Sequence, residues 1–384
     1  MSLSSSASAS SVNSRAVDAL DGLRGVAAIV IAIVHAPFLW PRSVPSDAFY
    51  DAYLAVDFFF VLSGFVLAYS YSRRLETDLS AAAFMIMRLV RLYPLYFLAL
   101  AIALIVEFDA LRQGRIDPDA SLGRIASGVL FLPTKLGHGR DLYPLNFPAW
   151  SLFCELVANF AFAMLGKRLN FPVLIAIVAA AGVTLACAVA GRSLGFGALE
   201  GAMNAGVQWP GFVGGLLRVA YSFFAGVLAF RIWRLQGRKI AIPAPALAFV
   251  LIAIRVAPPW RAHQIAMDLV ATMVVFPAIV LFGANSVSAG LERRVFAFLG
   301  RISYGVYVLQ VPVYAAVKLA VGRDETHLAW ASASVAAVVV LAAIAERYFD
   351  RPVRRRLSAA VFGQNRVGAF TFPPAAAPPS YTSR

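Results

Sequence analysis

The chain has 384 residues, 60% of them apolar and 14% charged, with a net charge of +14 and a mean hydropathy of +0.74. A soluble domain of this size carries about 25% charged residues, so the composition excludes a soluble enzyme and leaves almost no sequence for a separate soluble domain. The cations stand at the ends of apolar segments, which suits orientation in a bilayer and not the basic patches of a nucleic-acid binder. The fold class that follows is all-α and polytopic.

Residues 1–19 are Ser/Ala-rich and polar and read as a disordered N-terminal segment, not a cleaved leader. Apolar segments long enough to cross about 30 Å of hydrocarbon then occupy 20–40, 52–72, 92–108, 149–166, 171–190, 213–233, 241–257, 266–284, 302–321 and 328–347. That predicts about ten transmembrane helices, the third and seventh short. The membrane domain extends over 20–356, and 357–384 reads as a Pro/Ala-rich disordered tail.

The basic residues orient the helices. With the N-terminus in the cytoplasm, inner loops hold Arg73, Arg74, Arg88 and Arg91; Lys167 and Arg168; Arg231, Arg234, Arg238 and Lys239; Arg293, Arg294 and Arg301. The C-terminal end adds Arg347, Arg351, Arg354, Arg355 and Arg356. Short outer loops hold only Arg42, Arg192, Arg255 with Arg261, and Arg323. The long outer loop 109–148 has five Lys/Arg, partly balanced by Asp109, Asp117, Asp119 and Asp141. The bias puts both termini in the cytoplasm.

Ionisable residues inside the spans are costly and mark functional or tightly paired positions. In the first span, Arg24 and His35 are eleven residues apart and lie within roughly 20° of one helix face, about 16 Å apart along the axis. His35, Asp57 and Glu155 all fall roughly 8–10 Å below the outer surface, which predicts a shared polar chamber if their helices adjoin. On the inner side Arg88 and Arg91, three residues apart on one face, stand level with Arg24. Two readings fit this trio: bidentate phosphate binding, or orientation and contact with anionic lipid. Cys154 adjoins Glu155, but adjacent helical residues point about 100° apart, and neither Cys154 nor Cys187 sits in a redox motif. The four histidines have no ligand spacing, so no metal is expected.

Six segments in order resemble the integral-membrane acyltransferase-3 family, the bacterial O-acyltransferases of surface polysaccharides and other exported molecules. They are LDGLRGVAAIVIAIVH with Arg24 and His35, VDFFFVLSGFVLAY at 56–69, MRLVRLYPLY with Arg88 and Arg91, PAWSLFCELVANF with Trp150, Ser151 and Glu155, FLGRISYGVYVLQVPV at 298–313, and ERYFDRPVRRR at 346–356. One departure is Gln310, where the family often has histidine.

The resemblance implies a multi-pass protein of the bacterial inner membrane that moves an acyl group, most simply acetyl, from cytoplasmic acyl-CoA to a hydroxyl of a carbohydrate or other exported acceptor. On that reading Arg24, Arg88 and Arg91 bind the donor's phosphates. His35 is general base or acyl carrier, and Glu155 orients it. Asp57, Ser303, Tyr304 and Trp150 support the site, with a hydroxyl bonding across helices as the other reading of Ser303 and Tyr304. The partners expected are acyl-CoA, the acceptor and membrane lipid, without nucleic acid. A transporter or flippase for a lipid-linked sugar, with no acyl transfer, is the alternative that the same buried charges allow. The acceptor, the acyl length and the oligomeric state are not encoded in these motifs.

Overall fold

The computed structural model of the chain describes residues 4–39, 52–135, 141–197, 199, 201–236, 240–256, 263–286, 289–322 and 328–363. Arg42, Arg140, Arg238, Lys239, Arg261 and Arg323, residues 1–3 and the tail from 364 lie outside the described residues. Among those described, the chain is helical and has no strand. The helices are α1 (Ser4–Leu39), α2 (Ala55–Thr77), α3 (Ala81–Arg112), α4 (Pro118–Val129), α5 (Ala149–Leu165), α6 (Phe171–Ala190), α7 (Phe212–Leu235), α8 (Ala244–Val256), α9 (Gln264–Gly283), α10 (Gly290–Val321) and α11 (Leu328–Phe362).

Among the described residues nine helices are long and apolar enough to cross a membrane, all but α4 and α8. The expected seventh span is the one that falls short. Its helix α8 has 13 residues, about 20 Å at 1.5 Å each, because Pro243 immediately precedes its start. The first helix is hydrogen-bonded from Ser4, ahead of its apolar window Ala19–Ala36; alanine and a nucleated helix behind it favour that extension. The third span starts at Ala81, where the Ser80 hydroxyl caps the Ala83 amide, so Arg88 and Arg91 lie within the helix. Loop 109–148 contains a helix of its own, α4, capped by Asp117 with Pro118 behind it. Helix α11 continues through Phe362, past the expected start of the tail.

Small residues set the closest helix crossings, as lipid supplies little hydrophobic drive between helices. A Cβ on Gly64 of α2 would fall 1.9 Å from the Phe223 carbonyl oxygen of α7, and one on Gly226 of α7 would fall 1.9 Å from the Val61 carbonyl oxygen of α2. Only hydrogen fits at either position. Helix α1 meets α10 in the same manner, through Gly22 and Gly25 against Phe296 and Leu299, and Gly300 against Asp21.

Two prolines show how the bundle satisfies backbone groups that water cannot reach. Proline has no N–H, so it leaves the carbonyl four residues earlier without its helical donor. Pro312 of α10 frees the Val308 carbonyl, and the Asn146 side chain donates to it at 3.0 Å. Pro277 of α9 frees the Met273 carbonyl, and the Tyr221 hydroxyl of α7 donates to it at 3.1 Å. A π-helical segment, Ala271–Val275, leads into Pro277.

At the centre of the bundle Arg218 of α7 and Asp57 of α2 form a fully buried ion pair, with donor–acceptor distances of 2.6 and 3.2 Å. Arg218 also donates to the carbonyls of Ala205 (2.7 Å) and Tyr53 (2.9 Å), and stacks its guanidinium over Trp150 at 5.5 Å. Every face of the cation is thereby used. Removing Asp57 leaves that charge unpaired in a low-dielectric interior, a loss of about 3–5 kcal/mol. Asp57→Ala is therefore expected to lower the thermal unfolding midpoint of the detergent-purified protein, and Asp57→Ala with Arg218→Met to recover part of it. A wild-type midpoint in the single variant would refute this account of the pair.

Candidate active site

A cavity of about 370 Å³ opens between α1, α2, α3, α5, α10 and α11. Its lining residues on α2 run from Val56 to Tyr71, fifteen residue steps or about 22 Å of helix, so the space is long and penetrates the bundle. One end is walled by Arg24, Arg88, Arg91, Arg351, Arg354 and Arg355. Beyond Arg88 and the neighbouring Ser63 the lining turns to Phe59, Phe60, Ser151 and Tyr307. A cationic mouth and an apolar interior with a few hydroxyls suit an amphiphilic anion with a long uncharged arm.

Five of the six mouth arginines are held by specific partners. Arg24 pairs with Asp21 at 2.9 Å and donates to the Ser303 hydroxyl (2.9 Å) and the Gly300 carbonyl (3.1 Å). Arg88 binds Glu155 at 3.0 Å, and Ser63 donates to the same carboxylate oxygen at 2.6 Å. Arg91 stacks on the Tyr304 ring at 5.4 Å and stands 3.8 Å from Asp350. Arg354 binds Asp350 at 2.8 Å, and Arg351 binds Glu346 at 2.5 Å. The turn that supplies these two acids is π-helical, Glu346–Asp350.

The expected trio Arg24, Arg88 and Arg91 thus meets on one wall. The three outer-level groups do not share a chamber: each has its own partner on a different helix. Asp57 is spent on Arg218 and does not line the cavity. Glu155 faces the cavity but binds Arg88 and Ser63, the cation and hydroxyl nearest to it on α3 and α2, so it does not orient His35. His35 is half-buried beyond the deep end. It packs edge-on against Phe147 at 5.1 Å with the Gln310 side chain beside it, and it does not line the cavity. Gln310 donates to the Tyr307 carbonyl of its own helix at 2.9 Å, one turn from the Tyr307 side chain that lines the cavity.

The supporting residues divide likewise. Ser303 and Tyr304 line the mouth; the Tyr304 hydroxyl donates across to the Leu92 carbonyl of α3 at 2.7 Å, and Ser303 donates to the Gly300 carbonyl. Both make the interhelical or local bonds of a structural hydroxyl. Trp150 is buried beneath Arg218, outside the cavity. Cys154 is fully buried and also outside it. The residues unforeseen from sequence are Ser63, Tyr307 and Arg218, together with Arg351, Arg354 and Arg355, whose only expected role was orientation. The i, i+3, i+4 spacing of those last three was a visible signal that they share a face.

Residues 17–346 match the family model described as an acyltransferase domain. Among curated relatives, "protein 2 in picA locus" of Rhizobium radiobacter is 40% identical over 185 residues, 44% of this chain and 93% of that protein. The exopolysaccharide production protein ExoZ of Rhizobium meliloti (strain 1021) is 24% identical over 314 residues, 78% of this chain and 89% of its own. Acyltransferase MdmB of Streptomyces mycarofaciens is 25% identical over 343 residues, 84% and 85% of the two chains. No solved structure matches significantly. With that match across nearly the whole membrane domain, and a helical bundle that carries its motifs in order, the chain belongs to the integral-membrane acyltransferase-3 family, enzymes that transfer acyl groups.

Proposed function

We propose that this protein takes an acyl group, acetyl in the simplest case, from cytoplasmic acyl-CoA and passes it to a hydroxyl of an exported carbohydrate or related acceptor in the inner membrane of a bacterium. The supporting observation is the cavity itself: a mouth of six arginines leading about 22 Å along α2 into an apolar, hydroxyl-bearing interior. Phosphates bind guanidinium forks bidentately, and an uncharged thioester arm fits the space beyond. The relatives named for exopolysaccharide production and for acyl transfer favour a carbohydrate-type acceptor and this chemistry.

In this mechanism Arg24, Arg88 and Arg91 hold the donor's diphosphate at the cytoplasmic end, with both termini on that side. Glu155 fixes Arg88 rather than His35. The thioester then lies by Ser151 and Tyr307, whose hydroxyls are 2.6 Å apart, one layer from His35. His35, which stands outside the cavity wall, takes the proton of the acceptor hydroxyl through a bridging water; the oxygen attacks the thioester carbon; the C–S bond breaks, and the imidazolium returns the proton by the same relay to the departing thiolate. The second route, in which the imidazole carries the acyl group first, uses the same placement.

Purified protein given radiolabelled acetyl-CoA is expected to release CoA. His35→Ala should abolish release while acetyl-CoA still binds; normal turnover by that variant would sink the assignment. Arg88→Ala should weaken donor binding about tenfold, as for the loss of one charge-assisted contact. Glu155→Gln should raise KM more than it lowers kcat, because it loosens a phosphate ligand and leaves the base alone; a selective loss of kcat contradicts this. In intact cells, cysteine at Lys135 should be labelled only from the exported side and cysteine at Arg355 only from the cytoplasm.

A further inference from the structure

Helix α11 spans 35 residues, about 52 Å at 1.5 Å per residue, well beyond the roughly 30 Å of hydrocarbon. Its last turns, Arg351–Phe362, therefore extend past the apolar slab. Four of their side chains, Arg351, Arg354, Arg355 and Ser358, line the cavity. Their spacing is i, i+3, i+4, i+7, one stripe along one face of the helix.

The acids around the mouth do not balance the cations. Asp21, Glu155, Glu346 and Asp350 serve Arg24, Arg88, Arg351 and Arg354. Arg91 only shares Asp350, at the longer distance of 3.8 Å. Among the described residues Arg355 pairs with no carboxylate, and it is exposed at the mouth. Arg91 sits close enough to Arg24 and Arg354 for both charges to act on it, so it joins two arginine groups, one on α1 and α3, the other on α11. Six arginines against four acids leave a surplus of two positive charges, and one of them, on Arg355, stands on α11 apart from the group on α1 and α3.

Building on the donor reading, we infer that the α11 stripe is a second phosphate subsite, which takes a terminal phosphate monoester on the nucleotide of the thioester donor while Arg24, Arg88 and Arg91 take the diphosphate. Arg351 and Arg355 flank the dianion, and Ser358 adds a hydroxyl donor. A monoester is the fitting group, since its terminal oxygens accept from two guanidinium forks and a hydroxyl together. The same phosphate chemistry is offered by the headgroup of an anionic lipid, and the test separates the two.

The full-length protein is placed in nanodiscs of phosphatidylcholine, with or without phosphatidylglycerol. Binding of acetyl-CoA is compared with that of acetyl-3′-dephospho-CoA. The wild type is expected to prefer acetyl-CoA by about tenfold, the value of one charge-assisted contact. Arg355→Ala and Arg351→Ala should erase that preference while leaving the affinity for the dephospho compound unchanged; Arg355→Lys should keep part of it. Equal weakening of both ligands by Arg355→Ala, or an intact preference, overturns this assignment alone. Loss of the wild-type preference when phosphatidylglycerol is present assigns the stripe to lipid headgroups and also overturns it. A wild type that binds neither thioester overturns this assignment and the donor reading together.

Discussion

A charge in hydrocarbon must find a partner, and the way this bundle meets that demand separates its core from its cavity. Arg218 is fully satisfied: a carboxylate, two backbone carbonyls and an aromatic face close every direction around it. Such a cation has nothing left to offer a ligand and serves to hold α2 and α7 in register. The arginines of the cavity are different. They open onto space, and although four have a carboxylate of their own, Arg91 only shares Asp350 and Arg355 has no carboxylate among the described residues. The contrast in saturation, more than the presence of arginine, distinguishes structure from site.

The same contrast explains what could be read in the chain beforehand and what could not. Helix positions followed from apolar run length, and Arg24, Arg88 and Arg91 met as their spacing and membrane level suggested. Lateral neighbours were not legible, since they depend on which helices adjoin. Thus His35, Asp57 and Glu155, set at one depth by residue counting, have neighbours on different helices: Gln310, Arg218 and Arg88 respectively, and Glu155 bonds Ser63, six residues further along α2 than Asp57. Arg218 escaped notice because it sits two turns into α7 with no carboxylate partner in its own helix. The C-terminal arginines were masked by a competing explanation, the inside bias of positive charge, that accounts for their number and not for their facing.

Glutamine at 310 changes the chemistry at the deep end. Its amide nitrogen is committed to the Tyr307 carbonyl, so it is oriented before it meets the imidazole. It cannot titrate, as a histidine there would.

The backbone contact between α2 and α7 has a mechanical corollary. Glycine meets carbonyl at both Gly64 and Gly226, which leaves no side chain at that crossing point to compress or rotate. The α2 wall of the cavity is accordingly a fixed jamb. Admission of a bulky guest must be accommodated by the opposite leaf, where α3 and α11 touch through the adjustable side chains of Arg91, Asp350 and Arg354.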